Sequence, residues 1–144
     1  MGGRGITTGG LNTMTKEELL TLPDIYDHIV QESNRIANMR AKLYSTQGLD
    51  TRDKVQSSGG SNMLAEIVID AQQELDKEQE SFYAMAAEAK KMIRARLDGN
   101  EAMVMELRYV GCIGWAEISA MLDLSKATLY RYRNTAVEIL FNDE

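Results

Sequence analysis

The chain has 144 residues, a formal net charge of −6 and a single Pro. That length suits one small domain, or a small domain plus an extended helical element, and excludes a large multi-domain enzyme. With one Cys (Cys112) and one His (His28) it builds neither a disulfide frame nor a Cys/His metal site within one copy. Its acidic balance excludes a protein that coats nucleic acid through a broad cationic surface, so any contact with DNA must be local.

Abundant Ala, Leu, Met, Glu, Lys and Gln, with Phe, Tyr, Trp, Val and Thr too sparse for sheets, predict an all-α fold. The pattern below resolves it into an antiparallel, coiled-coil-like helical hairpin over 14–98 and a C-terminal helix-turn-helix domain over 99–144. No apolar run has the length of a signal sequence or a membrane span, so a cytoplasmic protein without membrane contact is expected.

Residues 1–13 are Gly/Thr-rich with only Ile6 and Leu11 as sizeable apolar groups, and read as a flexible tail in which Arg4 could touch phosphate. Thr15-Lys16-Glu17-Glu18 has capping-box spacing and predicts a helix start. Pro23 predicts a stop or kink near Leu22 and a new helix, with Asp24 complementing its N-terminus. Leu22, Ile29, Ile36 and Leu43 then recur every seven residues, an apolar seam that Glu32 weakens and that should end near Tyr44. Residues 44–62 lack periodicity and read as a long polar loop, with Arg52 and Lys54 available to a partner.

From 63 to 98, Leu64, Val68, Ala71, Leu75, Phe82, Met85, Ala89 and Met92 fall on alternating three- and four-residue steps, broken by Glu78. Such a helix would extend about 50 Å, beyond what its predecessor covers, so part of the seam must pack on the C-terminal domain or a second subunit, and self-association as a homodimer is expected. Lys90, Lys91, Arg94 and Arg96 form a basic cluster that reads as a solvated face or a flanking phosphate contact. Asp98-Gly99-Asn100 supplies a helix end and a fresh N-cap.

The functional signal lies between Glu106 and Leu140. Ile118 and Leu122 stand one turn apart, Ser119 is small where a second helix would cross, and Asp123 occupies a sharp turn that needs positive φ. Leu124 plugs that turn. Ser125 is a natural N-cap for a second helix whose inward residues are Leu129, Tyr132, Ala136 and Ile139 or Leu140. Its outward residues are Lys126, Ala127, Tyr130, Arg131 and Asn134, with Arg133 at the edge. Arg bonds guanine bidentately, Asn reads adenine, Ala touches a thymine methyl, and Lys126 with the helix N-terminus suits phosphates. The candidate DNA-binding set is therefore Ser125, Lys126, Ala127, Thr128, Tyr130, Arg131, Arg133 and Asn134. Residues 100–144 hold four basic side chains against seven acidic ones, a poor balance for a lone reader. Pairing of two copies or docking on another protein would raise affinity.

Leu107-Arg108-Tyr109, Trp115-x-Glu117-Ile118, Leu122-x-Leu124-Ser125 and Thr128-Leu129 resemble the fourth region of bacterial sigma factors. With Tyr130-Arg131 and Asp53-Lys54-Val55-Gln56-Ser57-Ser58, the stretch 22–140 resembles the RinA/ArpU-like phage regulators of Gram-positive bacteria. That resemblance implies control of phage or prophage late genes on double-stranded DNA in the bacterial host cytoplasm, and the poor charge balance makes host RNA polymerase a candidate further partner. The glycine common at the turn is Asp123 here, and the segments that make a complete sigma factor are missing. The alternatives are a DNA-packaging recognition subunit of the small-terminase kind and an interaction protein whose coiled coil captures a helix of host polymerase. Neither a phosphate loop nor a Ser/His/Asp set points to catalysis, and no cofactor or metal is expected.

Overall fold

The structure, a computed structural model, describes residues 14–49 and 54–142. Their regular structure is entirely helical: α1 (Lys16–Leu49), α2 (Lys54–Arg96), α3 (Gly99–Met105), a π-helical turn (Glu106–Val110), α4 (Trp115–Leu122) and α5 (Lys126–Phe141). None of these helices is long and apolar enough to cross a membrane. The expectations for residues 1–13 and for Arg52 fall outside the described residues.

The capping box opens α1 as its spacing predicts. The Thr15 amide donates to Glu18 Oε1 at 2.9 Å and the Glu18 amide to Thr15 Oγ1 at 3.1 Å. This reciprocal pair satisfies two amides that the first turn would otherwise leave without acceptors.

Two expectations are corrected. Of the stop or kink expected near Leu22, the stop is overturned: α1 runs through Pro23. A Pro inside a helix removes one hydrogen bond and costs about 3 kcal/mol. Leu19 and Leu22, both 0 % exposed, precede it, and each buried Leu returns about 1.5–3 kcal/mol. Nor are the described residues of 44–62 a loop: α1 continues to Leu49 and α2 begins at Lys54. Lacking Pro, these stretches extend a helix that is already nucleated, which needs one new hydrogen bond per residue and no amphipathic stripe.

The chain divides into two compact units. One comprises Met1–Tyr26 with Phe82–Glu144, the other Asp27–Ser81. The unit 27–81 buries one stripe from each of its two helices: Ile29, Ile36 and Leu43 of α1, and Val68 and Leu75 of α2. Within it Arg40 Nη2 donates to Gln72 Oε1 at 3.4 Å, and His28 Nε2 stands 3.6 Å from Glu78 Oε1. Arg35 pairs with Glu32 one turn before it at 2.8 Å.

The other unit has a core fed by many elements. Met14, Leu19 and Leu22 of the N-terminal stretch are buried, as are Met92, Ile93 and Leu97, Val104 and Met105, Tyr109, Ile118, and Leu129, Ala136, Val137 and Leu140. Val104, Ile118 and Leu129 form a cluster at 0 % exposure, covered by Leu107, Ile113, Trp115, Leu122, Leu124 and Tyr132. Arg96, expected on a solvated face or against phosphate, instead caps α5. Its Nη1 and Nη2 donate to the carbonyls of Leu140 (2.9 Å) and Ile139 (3.0 Å). Cationic donors suit the carbonyl end of a helix. Arg94 is bound to Glu106, Nε to Oε2 at 2.6 Å, a hydrogen bond that raises the Arg94 pKa.

Candidate nucleic-acid interface

The turn between α4 and α5 is three residues long, Asp123 to Ser125. Asp123 sits in the left-handed region at φ 56 and ψ 47, the conformation that its place in the sequence predicts. The Leu124 amide closes the turn on the Ser119 carbonyl at 3.1 Å, and the Ser119 hydroxyl donates to the Leu124 carbonyl. The small side chain at 119 thus also supplies the bond that holds the turn shut.

Ser125 starts α5 as its N-cap, its Oγ accepting from the Thr128 amide at 3.2 Å and contacting Thr128 Oγ1 at 3.0 Å. Leu129, Ala136, Val137 and Leu140 face the core, so 3.6-residue periodicity turns Lys126, Ala127, Tyr130, Arg131 and Asn134 outward, where all are exposed. Ile139 is 42 % exposed while Leu140 is 0 %, which places Leu140 on the inward face. Thr128 is half-buried beside the cap.

Arg133 is engaged by neighbouring side chains. It is half-buried, its Nε donating to the Tyr109 hydroxyl at 2.9 Å and its Nη1 to Asn134 Oδ1 at 2.9 Å. Asn134 therefore presents an amide already engaged through its oxygen.

The π-helical turn leads into α4 and shapes the ground beside α5. The Gly111 amide reaches the Glu106 carbonyl at 2.8 Å, five residues back, and the Ile113 amide reaches the Leu107 carbonyl at 3.0 Å. A Cβ at Gly111 would meet the Leu107 carbonyl oxygen at 3.0 Å, so a larger residue there would press on that carbonyl. Cys112 follows with φ 56, and its Sγ lies 3.8 Å from the Leu22 carbonyl.

Trp115 stands at the centre of an aromatic and cationic group. Tyr130 meets it edge-on at 5.1 Å between ring centroids, Tyr109 does so at 6.4 Å, and the Arg108 guanidinium lies 5.2 Å from the Trp115 ring centroid. Edge-on pairs of this kind fix ring orientation. Trp115 thereby positions Tyr130 on the outward face of α5, besides covering the core cluster.

Leu20, Asp24, Arg108, Tyr109, Trp115, Tyr130, Arg133 and Asn134 line a cleft of about 510 Å³. Of these, local sequence pattern places Tyr130, Arg133 and Asn134 in the site. It misses Leu20 and Asp24, which come from the far end of the chain without any local signal. It also gives no site role to Arg108 and Trp115, although both belong to the sigma-like pattern. Among the described residues no cluster of His, Cys, Asp or Glu is placed to hold a metal ion. Comparison with protein-family models, with curated proteins and with solved structures finds no match.

Proposed function

We propose that α4, the Asp123 turn and α5 form a helix-turn-helix that reads double-stranded DNA, and that the protein is a sequence-specific transcriptional regulator. The observation that carries this reading is the outward face of α5. Behind a capped N-terminus and opposite a fully buried Leu129, it presents Lys126, Ala127, Tyr130, Arg131 and Asn134 together. Lys126 and the N-terminal amides meet phosphates, Arg131 bonds a guanine edge and Asn134 an adenine. Arg133, bound to Tyr109, supports Asn134 rather than reading a base itself.

The residue pattern that resembles the RinA/ArpU-like regulators supports a role in phage or prophage late-gene control, with host RNA polymerase as a further partner. Few cations on this face make a lone copy a weak binder, so the active species in this reading is a homodimer. Within the unit 27–81, the Arg40–Gln72 hydrogen bond and the approach of His28 to Glu78 suit an antiparallel helical hairpin. Tyr44, Met63, Ile67 and Ile69 are exposed there, apolar surface fit for pairing two copies.

Fluorescence anisotropy with DNA fragments from the protein's own locus tests the proposal. Sequence-selective binding is expected, with Arg131→Ala weakening the preferred site by about 1–3 kcal/mol. Absence of any sequence preference at low salt, with and without host polymerase, would overturn it.

A further inference from the structure

The geometry points to the cleft beside α5 as a binding site for a small planar molecule carrying one oxyanion, an aryl carboxylate or an aryl or nucleoside phosphate. Two guanidiniums, Arg108 and Arg133, line it, and neither is in an ion pair with a described carboxylate, in contrast to Arg35 and Arg94. Each is instead held by neutral groups. Arg133 rests on the Tyr109 hydroxyl and the Asn134 amide oxygen. Arg108 donates from Nη1 to the Ile113 carbonyl at 3.1 Å and lies beside the Trp115 ring. Neutral acceptors orient a guanidinium without neutralising it, which makes a prepositioned receptor for an anion. The Arg108 Nε is buried and has no acceptor, so the local hydrogen bonding of this cation is incomplete.

The remaining lining specifies the rest of the ligand. Tyr130 is 43 % exposed and clamped edge-on by Trp115, so its ring is available to a second planar group at little cost in ordering. Asp24 adds an acceptor for a hydroxyl or amino substituent on that ring. The volume falls within the range of about 300–1,000 Å³ of most small-ligand sites.

Tyr130 and Asn134 belong both to this cleft and to the outward face of α5, so an occupied cleft would compete with DNA. That coupling rests on the DNA-reading proposal; ligand binding itself does not. Trp115 is the only Trp in the chain, and its fluorescence reports the cleft directly.

The test titrates the full chain, without DNA, with phenyl phosphate, benzoate, inorganic phosphate and phenol. Phenyl phosphate or benzoate should give a saturable change in Trp115 emission, the tighter of the two identifying phosphate or carboxylate as the anion. Inorganic phosphate and phenol, each carrying half of the ligand, should bind at least about tenfold more weakly. Arg108→Gln and Arg133→Gln should each weaken binding about tenfold or more, while Arg94→Gln leaves it unchanged. Should either cleft variant lose its helical circular dichroism, the milder Asn134→Ala takes its place. No saturable response to either aryl anion, equal affinity for inorganic phosphate, or equal binding by folded cleft variants overturns the site. Repeating the anisotropy measurement with saturating ligand then reads the coupling. Ligand binding that leaves DNA affinity unchanged overturns the competition alone, and ligand binding without any DNA binding overturns the reading of α5 alone.

Discussion

The unit 27–81 and the helices that follow residue 98 are both helical, yet they exclude water by different means. In the first, two helices contribute a stripe each, and every buried side chain retains 2–8 % exposure: Ile29, Ile36, Leu43, Val68 and Leu75. Beyond residue 98, α3, α4 and α5 converge on Val104, Ile118 and Leu129, and all three reach 0 %. Two helices enclose a seam from two sides only, whereas a third helix closes the remaining side. A short helix such as α4, eight residues long, is held by that tertiary closure and by its left-handed C-terminal turn at Asp123 rather than by its own propensity. The rigid placement of α5 follows from the same closure, and any reading of DNA depends on it.

Truncation of the two cores gives the largest test of this contrast. Leu129→Ala should destabilise its unit by about 3–5 kcal/mol and Leu75→Ala the other by about 2–3 kcal/mol, because an enclosed site relaxes less around a cavity. Native-state hydrogen exchange reads the two units separately; equal losses would break the comparison. Next comes the turn. Asp123→Val forces a β-branched residue into the left-handed region and should cost about 1–2 kcal/mol, whereas Asp123→Gly should be neutral or stabilising, as thermal unfolding can decide.

Ser125→Ala removes the acceptor for the Thr128 amide and should cost about 1 kcal/mol, with faster exchange of that amide as its signature. The smallest effect belongs to the seam. The hydrogen bond from Arg35 lowers the Glu32 pKa, against a smaller opposing influence of burial. A carboxylate whose folded pKa is depressed stabilises above its unfolded pKa, and the contribution fades as pH falls through the folded one. Glu32→Gln should therefore abolish a slight loss of stability that begins below about pH 4.5 in the parent, measured by chemical denaturation across that range. A pH dependence unchanged by the substitution would remove this pair from the account of the seam.

Much of the candidate interface was legible because its determinants are local. A Ser before a helix, an Asp at a sharp turn and a periodic Leu129, Ala136, Leu140 all act over a few residues, so the outward set Lys126, Ala127, Tyr130, Arg131 and Asn134 could be read without tertiary information. Arg133 could not be placed that way, since its partner Tyr109 stands 24 positions earlier. Periodicity puts it at an edge and is silent on which neighbour claims it.

The same division runs through the whole chain. By itself the sequence determined the all-helical class, the Thr15–Glu18 cap, the seven-residue stripe of α1 and the Asp123–Ser125 junction, because each rests on backbone geometry and contacts within a turn or two. Tertiary structure alone decided that α1 continues through Pro23, that Arg96 caps α5 from 43 and 44 positions away, and that Leu20, Asp24, Arg108 and Trp115 gather beside Tyr130. In each of these cases a local preference was weak or adverse. Burial of Leu19 and Leu22, or a cation set against helix-end carbonyls, outweighed it, and such partners are chosen by packing rather than by neighbours in sequence.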